Sequence, residues 1–394
     1  MRPESFKSTE RGTVCRALEG FWAFHPKPLP HRIDLDNETV RLLDQATAAV
    51  NRLGGVGLLL PNPRLLIGPY LRIEAVLSSR IEGTQTDVPQ LLRLEADRLT
   101  SPEQTEDARE VANYVVALEH GLSRVRDGFP ISVRLMREMH EYLLKGVRGH
   151  HRTPGELRKS PVWIGGDTLG NAIFVPPPPD IIQDALRDLE IFIHKRQLPL
   201  LIQLALAHYQ FEAIHPFLDG NGRLGRILIP LLLVERNVLP EPLLYLSAYF
   251  EQNRSEYYDL LLRTNQQGDL IPWLKFFLKG VRQQARNAEQ RTHRLVKLQT
   301  DLRNQLLKEG RPSSVLRLAE HLFSLPIVTT RMVAELINVT APTANTAIRA
   351  LVERGDLQEI SGRERYRLYQ ATEIFDAAYG PVEASSEDPI QYYE

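Results

Sequence analysis

The stretch from His215 to Arg226, HPFLDGNGRLGR, constrains this chain more than any other. One short run holds an imidazole, a carboxylate, two glycines flanking an amide, and two arginines. A packed core has no use for that mixture, whereas a site that handles an anion does. Pro216 disfavours helical geometry at His215, so the helix expected over Pro199 to Ala213 should turn there. Pro199 itself suits a first helical position. Gly220 and Gly222 permit backbone conformations closed to other residues. From Arg223 the sequence is helical again, RLGRILIPLLLVE. GNG therefore falls just before a helix N-terminus, where unpaired N–H groups and the positive end of the helix dipole suit a phosphate.

The other residues of the run extend that reading. Arg223 and Arg226 are three apart and share a helix face, placed to grip further phosphate oxygens. Asp219 adds a hard oxygen ligand, and magnesium favours one or two carboxylates plus substrate phosphates. His215 is the natural proton acceptor, because its unperturbed pKa lies near operating pH. Phe217 alternates with the polar residues and anchors the loop. The residues alone thus point to a nucleotide polyphosphate with Mg2+, a histidine that deprotonates an incoming hydroxyl, and transfer of a phosphorus-centred group.

The 394 residues suffice for two or three domains. The formal net charge of -1 gives no global pull toward nucleic acid or an anionic membrane. Cys15 is the one cysteine, so an intramolecular disulfide and a cysteine-rich metal site are excluded, which fits a reducing cytoplasm. The charged start, MRPESFKSTERG, lacks an apolar signal region, and the most apolar run, Ile227 to Val234, is too short to span a bilayer. No membrane association is expected.

Periodicity predicts a mainly α fold. Helices are expected over Leu42 to Leu53, Tyr70 to Glu82, Glu106 to Val125, Val133 to Lys145 and Asp180 to Lys195, with residues 1 to about 35 irregular. Val111, Tyr114, Val115 and Leu118 share one face. PVWIGGDTLGNAIFVPPPP reads as a β-hairpin, with runs Val162 to Ile164 and Ala172 to Val175. Ile271 to Leu307 reads as a helical connection. Its stripe Leu295, Leu298, Leu302 and Leu306 packs within the chain or forms a homodimer seam.

The stretch HPFLDGNGRLGR resembles the signature of the Fic family at every defined position: His215, Phe217, Asp219, Gly220, Asn221, Gly222, Arg223 and Arg226. The resemblance runs from the KPLP segment to about residue 280. It implies a helical Fic core and protein AMPylation, the transfer of AMP from ATP to a Ser, Thr or Tyr hydroxyl of a target protein with release of pyrophosphate. His215 would be the general base and Asp219 would hold Mg2+. Gly220, Asn221 and Gly222 would cradle phosphates, and Arg223 and Arg226 would bind the β/γ end. Relatives that phosphorylate their targets depart from the glycine pattern near Gly222; this chain does not. Tyr258 in RSEYYDLL and Asn265 in RTNQQGD look similar to the family's nucleoside-side positions.

Ser78 to Gly83, SSRIEG, ends a predicted helix with Gly83 as its cap. A carboxylate near a helix C-terminus is unfavourable by dipole alone, so Glu82 invites a partner. The stretch resembles the Fic inhibitory signature, matching at Ser78, Glu82 and Gly83. The resemblance implies that Glu82 pairs with Arg226 and blocks productive seating of ATP. It also implies that the hairpin residues Trp163, Ile164, Ile173 and Phe174 form a flap that pairs with the target's backbone.

Near the C-terminus, Thr330 to Ile337 and Pro342 to Arg354 read as two helices around a tight turn at Asn338 to Thr340, followed by a β-wing. This resembles a winged helix-turn-helix, with Thr343, Asn345, Thr346 and Arg349 on an exposed face and Arg363, Arg365 and Arg367 on the wing. DNA binding is one expectation, diluted by Glu353, Asp356, Glu359 and Glu364; protein docking is the other. The expected division is an N-terminal region carrying the inhibitory helix (1–120), a catalytic core (121–280), a helical linker (281–310), the winged helix (311–376) and a tail (377–394). The rival functions are removal of AMP from targets, and a DNA-binding regulator whose Fic core serves as a sensor.

Overall fold

The computed structural model describes residues 1–58, 63–97, 106–147 and 153–380. Most of the expected tail, from residue 381 onward, lies outside the described residues. The chain divides into two compact units, one of residues 1–63 and 70–286, the other of residues 64–69 and 287–394.

The first unit opens with a hairpin of β1 (Gly12–Arg16) and β2 (Trp22–Pro26), paired antiparallel from Gly12↔Pro26 to Arg16↔Trp22. This corrects the expectation of an irregular N-terminus. The alternation in TVCR and WAFH is short, and the Gly20 turn between them is the signal that was there to read. Helices α1 (Asn37–Leu58), α2 (Pro63–Ile81), α3 (Val88–Asp97), α4 (Glu106–Arg126), α5 (Val133–Leu143), α6 (Pro179–His194), α7 (Leu200–Ile214), α8 (Asn221–Glu235), α9 (Ser247–Gln252) and α10 (Arg254–Gln267) follow. Then α11 (Ile271–Lys308) begins in the first unit and ends in the second.

The expected helices are all present; α1 begins five residues earlier and ends five later than periodicity predicts, and α2 begins seven earlier, because tertiary packing extends them, whereas α5 ends two residues earlier. Pro199 is the N-cap of α7 rather than its first residue. On α4, Val111, Tyr114 and Leu118 are fully buried, as their shared face requires. Helix α7 is different: it is buried on nearly every side, as is α8 from Arg223 to Val234. Such helices belong at a domain's centre. Trp273 of α11 seals the floor below α7, its indole N–H donating to the Ala205 carbonyl at 2.8 Å, beside a cluster of Phe250, Tyr257, Phe276 and Phe277. Each such ring contributes about 1.5–3 kcal/mol by burial.

The expected second hairpin is reduced to a single bridge, Ile164↔Phe174. Two glycines at positive φ, Gly165 and Gly166, turn the chain immediately after Ile164 and leave no room for a longer ladder.

In the second unit, α12 (Ser313–Leu322), β3 (Ile327–Val328), α13 (Thr330–Leu336), α14 (Ala341–Arg354), β4 (Gln358–Glu359), β5 (Tyr369–Gln370) and α15 (Thr372–Tyr379) follow in order. The strands form an antiparallel sheet in the order β3-β5-β4. Thr329 and Thr340 cap α13 and α14 through their hydroxyls, each cap worth about 1 kcal/mol. Leu295, Leu302 and Leu306 of α11 are buried and Leu298 is half-buried. The stripe is consumed by packing within the chain and leaves no exposed dimer seam. Among the described residues no helix is long and apolar enough to cross a membrane.

Candidate active site

The loop between α7 and α8 holds the run from His215 to Gly220. His215 closes α7 in the left-handed region, φ 49° and ψ 61°. A non-glycine residue there costs roughly 1 kcal/mol, so the surroundings must impose it. Arg158 does so. Its Nε donates to the His215 carbonyl at 2.8 Å, and its Nη2 to the carbonyls of Pro177 at 2.5 Å and Ile214 at 3.4 Å. Its own N–H donates to the Pro216 carbonyl at 3.0 Å. A buried cation thus sits on the carbonyl end of α7, where the helix dipole favours it. Burial brings Arg158 down to about 10, which leaves it charged at neutral pH.

The same loop is held from two more sides. Phe217 stacks on His140, ring centroids 3.8 Å apart. The His140 Nδ1 accepts from the Gly155 N–H at 2.9 Å, so its Nε2 carries the proton and donates to the Asp219 carbonyl at 2.9 Å. Asn221 staples the loop to itself: its Oδ1 accepts from the Phe217 N–H and its Nδ2 donates to the Phe217 carbonyl, both at 2.9 Å. The Asn221 side chain is therefore committed to the loop, and only its backbone N–H, at the first position of α8, is left for a phosphate.

Burial lowers His215 to about 4, the Arg158 charge adds to that, and Glu82 and Asp219 pull the other way. Its Nδ1 is buried without a well-formed hydrogen bond. At neutral pH the ring is neutral and can accept a proton. Asp219, partly exposed, has Oδ1 on the Gly220 N–H at 2.6 Å and 3.5 Å from Arg223. Gly220 precedes α8 with φ 75°, a conformation suited to glycine.

The two arginines are already paired. Arg223 Nη1 meets Glu110 of α4 at 3.2 Å, both side chains buried. Arg226, 1% exposed, donates through Nη2 to Glu82 Oε1 at 2.7 Å and to the Ser78 carbonyl at 2.9 Å, and through Nε to Ser78 Oγ at 2.8 Å. Burial pushes Glu82 up, but the charge and hydrogen bond of Arg226, with Arg223 and His215 behind it, hold it below the usual carboxylate range. Gly83, at φ 104°, ends the α2 segment just beyond. Most telling is Gly222: a Cβ there would lie 2.2 Å from Glu82 Oε1. The Glu82 carboxylate rests on the first turn of α8, where an anionic ligand would bind.

Residues 40–123 match the Fic/DOC family N-terminal domain, and residues 130–233 match the Fic/DOC family domain. Over residues 40–233 this is a Fic/DOC-family chain. Relatives include the protein adenylyltransferase Fic of Aedes aegypti, 34% identical over 125 residues, and that of Drosophila erecta, 27% identical over 202. These alignments cover 31% and 50% of this chain but only 22% and 37% of the relatives. Among solved structures, a Fic family protein from Desulfovibrio desulfuricans is similar with a TM-score of 0.53 at 19% identity, covering 86% of this chain and 97% of its own. A Fic domain containing signaling protein from Bacteroides thetaiotaomicron reaches 0.50 at 19% identity, covering 65% and 97%. At such identities these two speak for the fold.

The Fic signature residues and the Glu82 segment thus meet at one place. The nucleoside-side expectations fare unevenly. Tyr258 is 39% exposed and feels the charges of Glu82 and Arg226, with burial pushing its hydroxyl up to about 12. Asn265 is buried, and its side-chain oxygen is taken by the Tyr209 hydroxyl at 2.6 Å. Of the expected flap residues, Trp163, Ile164 and Ile173 are exposed. Phe174 is not: it packs into a small core with Phe24 and Phe6, its ring 5.6 Å and 6.4 Å from theirs. Alternation along the strand sends Phe174 to the opposite face from Ile173.

Sequence reading missed Arg158, His140 and Glu110, whose partners lie far away in the chain. It also missed Glu212 of α7, which burial pushes up to about 8 against the pull of Arg226. At neutral pH Glu212 carries its proton, so Arg226 draws no full counter-charge from it.

Proposed function

We propose that this chain is a protein adenylyltransferase held at low activity by its own Glu82. The observation that carries the reading is the Glu82 carboxylate seated over Gly222 at the start of α8 and bonded to Arg226. An acidic side chain there stands in for a bound phosphate. In the active state, the ATP phosphates would take that place, against the N–H groups of Asn221 and Gly222, with Arg223 and Arg226 at the β/γ end; the Gly220 N–H is taken by Asp219, and Gly220 would serve by its turn. Tyr258 would contact the nucleoside side, and Asn265 would support that wall from within.

His215, neutral and fixed by Arg158, accepts the proton of a target Ser, Thr or Tyr hydroxyl. The hydroxyl oxygen forms a bond to the α-phosphorus as the bond to the β-phosphate oxygen breaks, leaving AMP on the target and releasing pyrophosphate. Among the described residues no cluster of three or more metal-binding side chains occurs. A single partly exposed carboxylate beside a phosphate cradle nevertheless suits Mg2+, which draws its other ligands from phosphates and water. Asp219 would hold it, and the ion would neutralise phosphate charge. The exposed Ile164 edge, with Trp163 and Ile173, would pair with the target's backbone.

A second reading, removal of AMP, draws on the closeness of Glu82 to His215, each of which shifts the other's titration. In the second unit, the exposed Thr343, Asn345, Thr346, Arg349 and the wing arginines leave a docking role for DNA or protein. The single cysteine suits a cytoplasmic setting.

The test uses the full chain, Glu82→Gly and His215→Ala with Mg2+ and ATP labelled at the α- or γ-phosphate. Covalent label from the α position alone is expected, higher in Glu82→Gly and absent in His215→Ala, a loss of at least 10²-fold. Label from γ alone would mean phosphorylation. No label in any variant, with release of AMP from a modified target, would favour the second reading.

A further inference from the structure

We propose that Glu74 is a positioning residue for Arg226: through Tyr114 and Ser78 it holds the guanidinium ready for a terminal phosphate once Glu82 has left. The inference rests on the adenylyltransferase reading and adds a residue to it.

Glu74, Ser78 and Glu82 follow one another at four-residue spacing, one stripe along α2 and the turn that ends it. The two carboxylates at the ends of the stripe differ in kind. Glu82 lies beyond the last residue of α2, its side chain 35% exposed, and can swing away without unwinding a helix. Glu74 lies inside α2, 2% exposed, and every bond fixes it. Its Oε1 accepts from the Tyr114 hydroxyl at 3.0 Å and the Ser247 hydroxyl at 2.5 Å. Its Oε2 accepts from the Ser247 N–H at 3.2 Å, the first amide of α9. Burial pushes the Glu74 carboxyl up, while Ser247, Arg226 and Tyr114 draw it back toward the charged form.

These groups lie in series between Arg226 and Glu74. Arg226 donates to Ser78 Oγ at 2.8 Å and Tyr114 donates to Glu74 at 3.0 Å, while Ser78, one helical turn from Glu74 on α2, acts on the titration of the Tyr114 hydroxyl. All of them are buried. When Glu82 departs, Arg226 would otherwise keep only the neutral oxygens of Ser78, and a buried cation without a counter-charge is costly. Glu74 supplies the far end of the series and keeps Arg226 from following Glu82 out. The stop can then be removed while the phosphate-binding group stays in place.

The experiment measures nucleotide binding by calorimetry with Mg2+ and no target, so that transfer chemistry does not enter. Glu82→Gly is the parent, compared with Glu82→Gly/Glu74→Gln. We expect ATP to weaken about tenfold in the double variant, the effect of losing about 1.4 kcal/mol, while ADP changes less than about twofold. That split marks a loss at the terminal phosphate; a merely structural role would weaken both nucleotides together. Tyr114→Phe in the same parent deletes the bridging hydroxyl while leaving the Glu74 carboxyl in place, and should weaken ATP about threefold with the same sparing of ADP. Equal affinities in parent and variants, or parallel loss of ATP and ADP, overturn the proposal alone. A Glu82→Gly parent that binds no nucleotide overturns the adenylyltransferase reading and this inference with it.

Discussion

The two walls of the site are built on opposite terms. The His215–Gly220 loop is held by Arg158 on its carbonyls, His140 against Phe217 and Asp219, and Asn221 across its neck. The wall facing it ends in one carboxylate, Glu82, partly exposed and bound to Arg226. Redundant bonds leave the first wall a single conformation, which a proton acceptor needs. A single bond leaves the second wall free to change state. On the adenylyltransferase reading, the machinery is preassembled and only the stop must move.

The largest effect should come from breaking the rigid wall. In a Glu82→Gly parent, Arg158→Met should slow labelling by about 10- to 100-fold, since a misplaced reacting group costs up to about that much. It should also lower stability by about 2–4 kcal/mol, because several buried carbonyls lose their donor. Denaturant unfolding beside initial labelling rates, corrected for folded protein, separates the two. An unchanged rate in the folded fraction would mean that His215 needs no clamp, and the contrast between the walls would dissolve.

Breaking the movable wall should cost less. Glu82→Gln keeps the shape and removes the charge. Stability should fall by only about 1–2 kcal/mol, below the 3–5 kcal/mol of a fully buried pair, because Glu82 is partly exposed and Arg226 keeps Ser78. Labelling should rise even so. A loss as large as that of Arg158→Met would show the ion pair to be part of the scaffold rather than a removable stop.

The contrast between the walls also explains what the sequence could convey. The run from His215 to Arg226 is local, so its turn, its helix start and its arginines were legible residue by residue. Glu82 was legible because a carboxylate at a helix end lacks a local partner. Arg158, His140, Glu110 and Glu74 were not, since each acts on residues 40 to 173 positions away, and nothing in their own neighbourhoods asks for a partner. Asn221 shows a subtler limit. Its position at the start of α8 was readable, but the commitment of its side chain to Phe217 depends on a loop shape that Arg158 and His140 impose. Phe174 was placed with its exposed neighbours because the short run did not reveal which face looked inward.

The smallest effect is an absence of change, and it tests the electrostatics of the rigid wall. A base must be neutral to accept a proton, and kcat/KM reports the free enzyme. An ordinary histidine, with a pKa near 6.5, would lose about three-quarters of its neutral form between pH 8 and pH 6, an approximately fourfold fall. Burial and Arg158 bring His215 to about 4, and the nearby Glu82 only opposes that shift. Removing Glu82 therefore lowers the pKa further, and lowering the pH across this range leaves the ring neutral. In Glu82→Gly at saturating Mg2+, kcat/KM for ATP should stay within about twofold from pH 8 to pH 6. A fourfold fall centred near 6.5 would mean that the ring is solvated in the working enzyme, so that the wall holding it opens together with the one that carries Glu82.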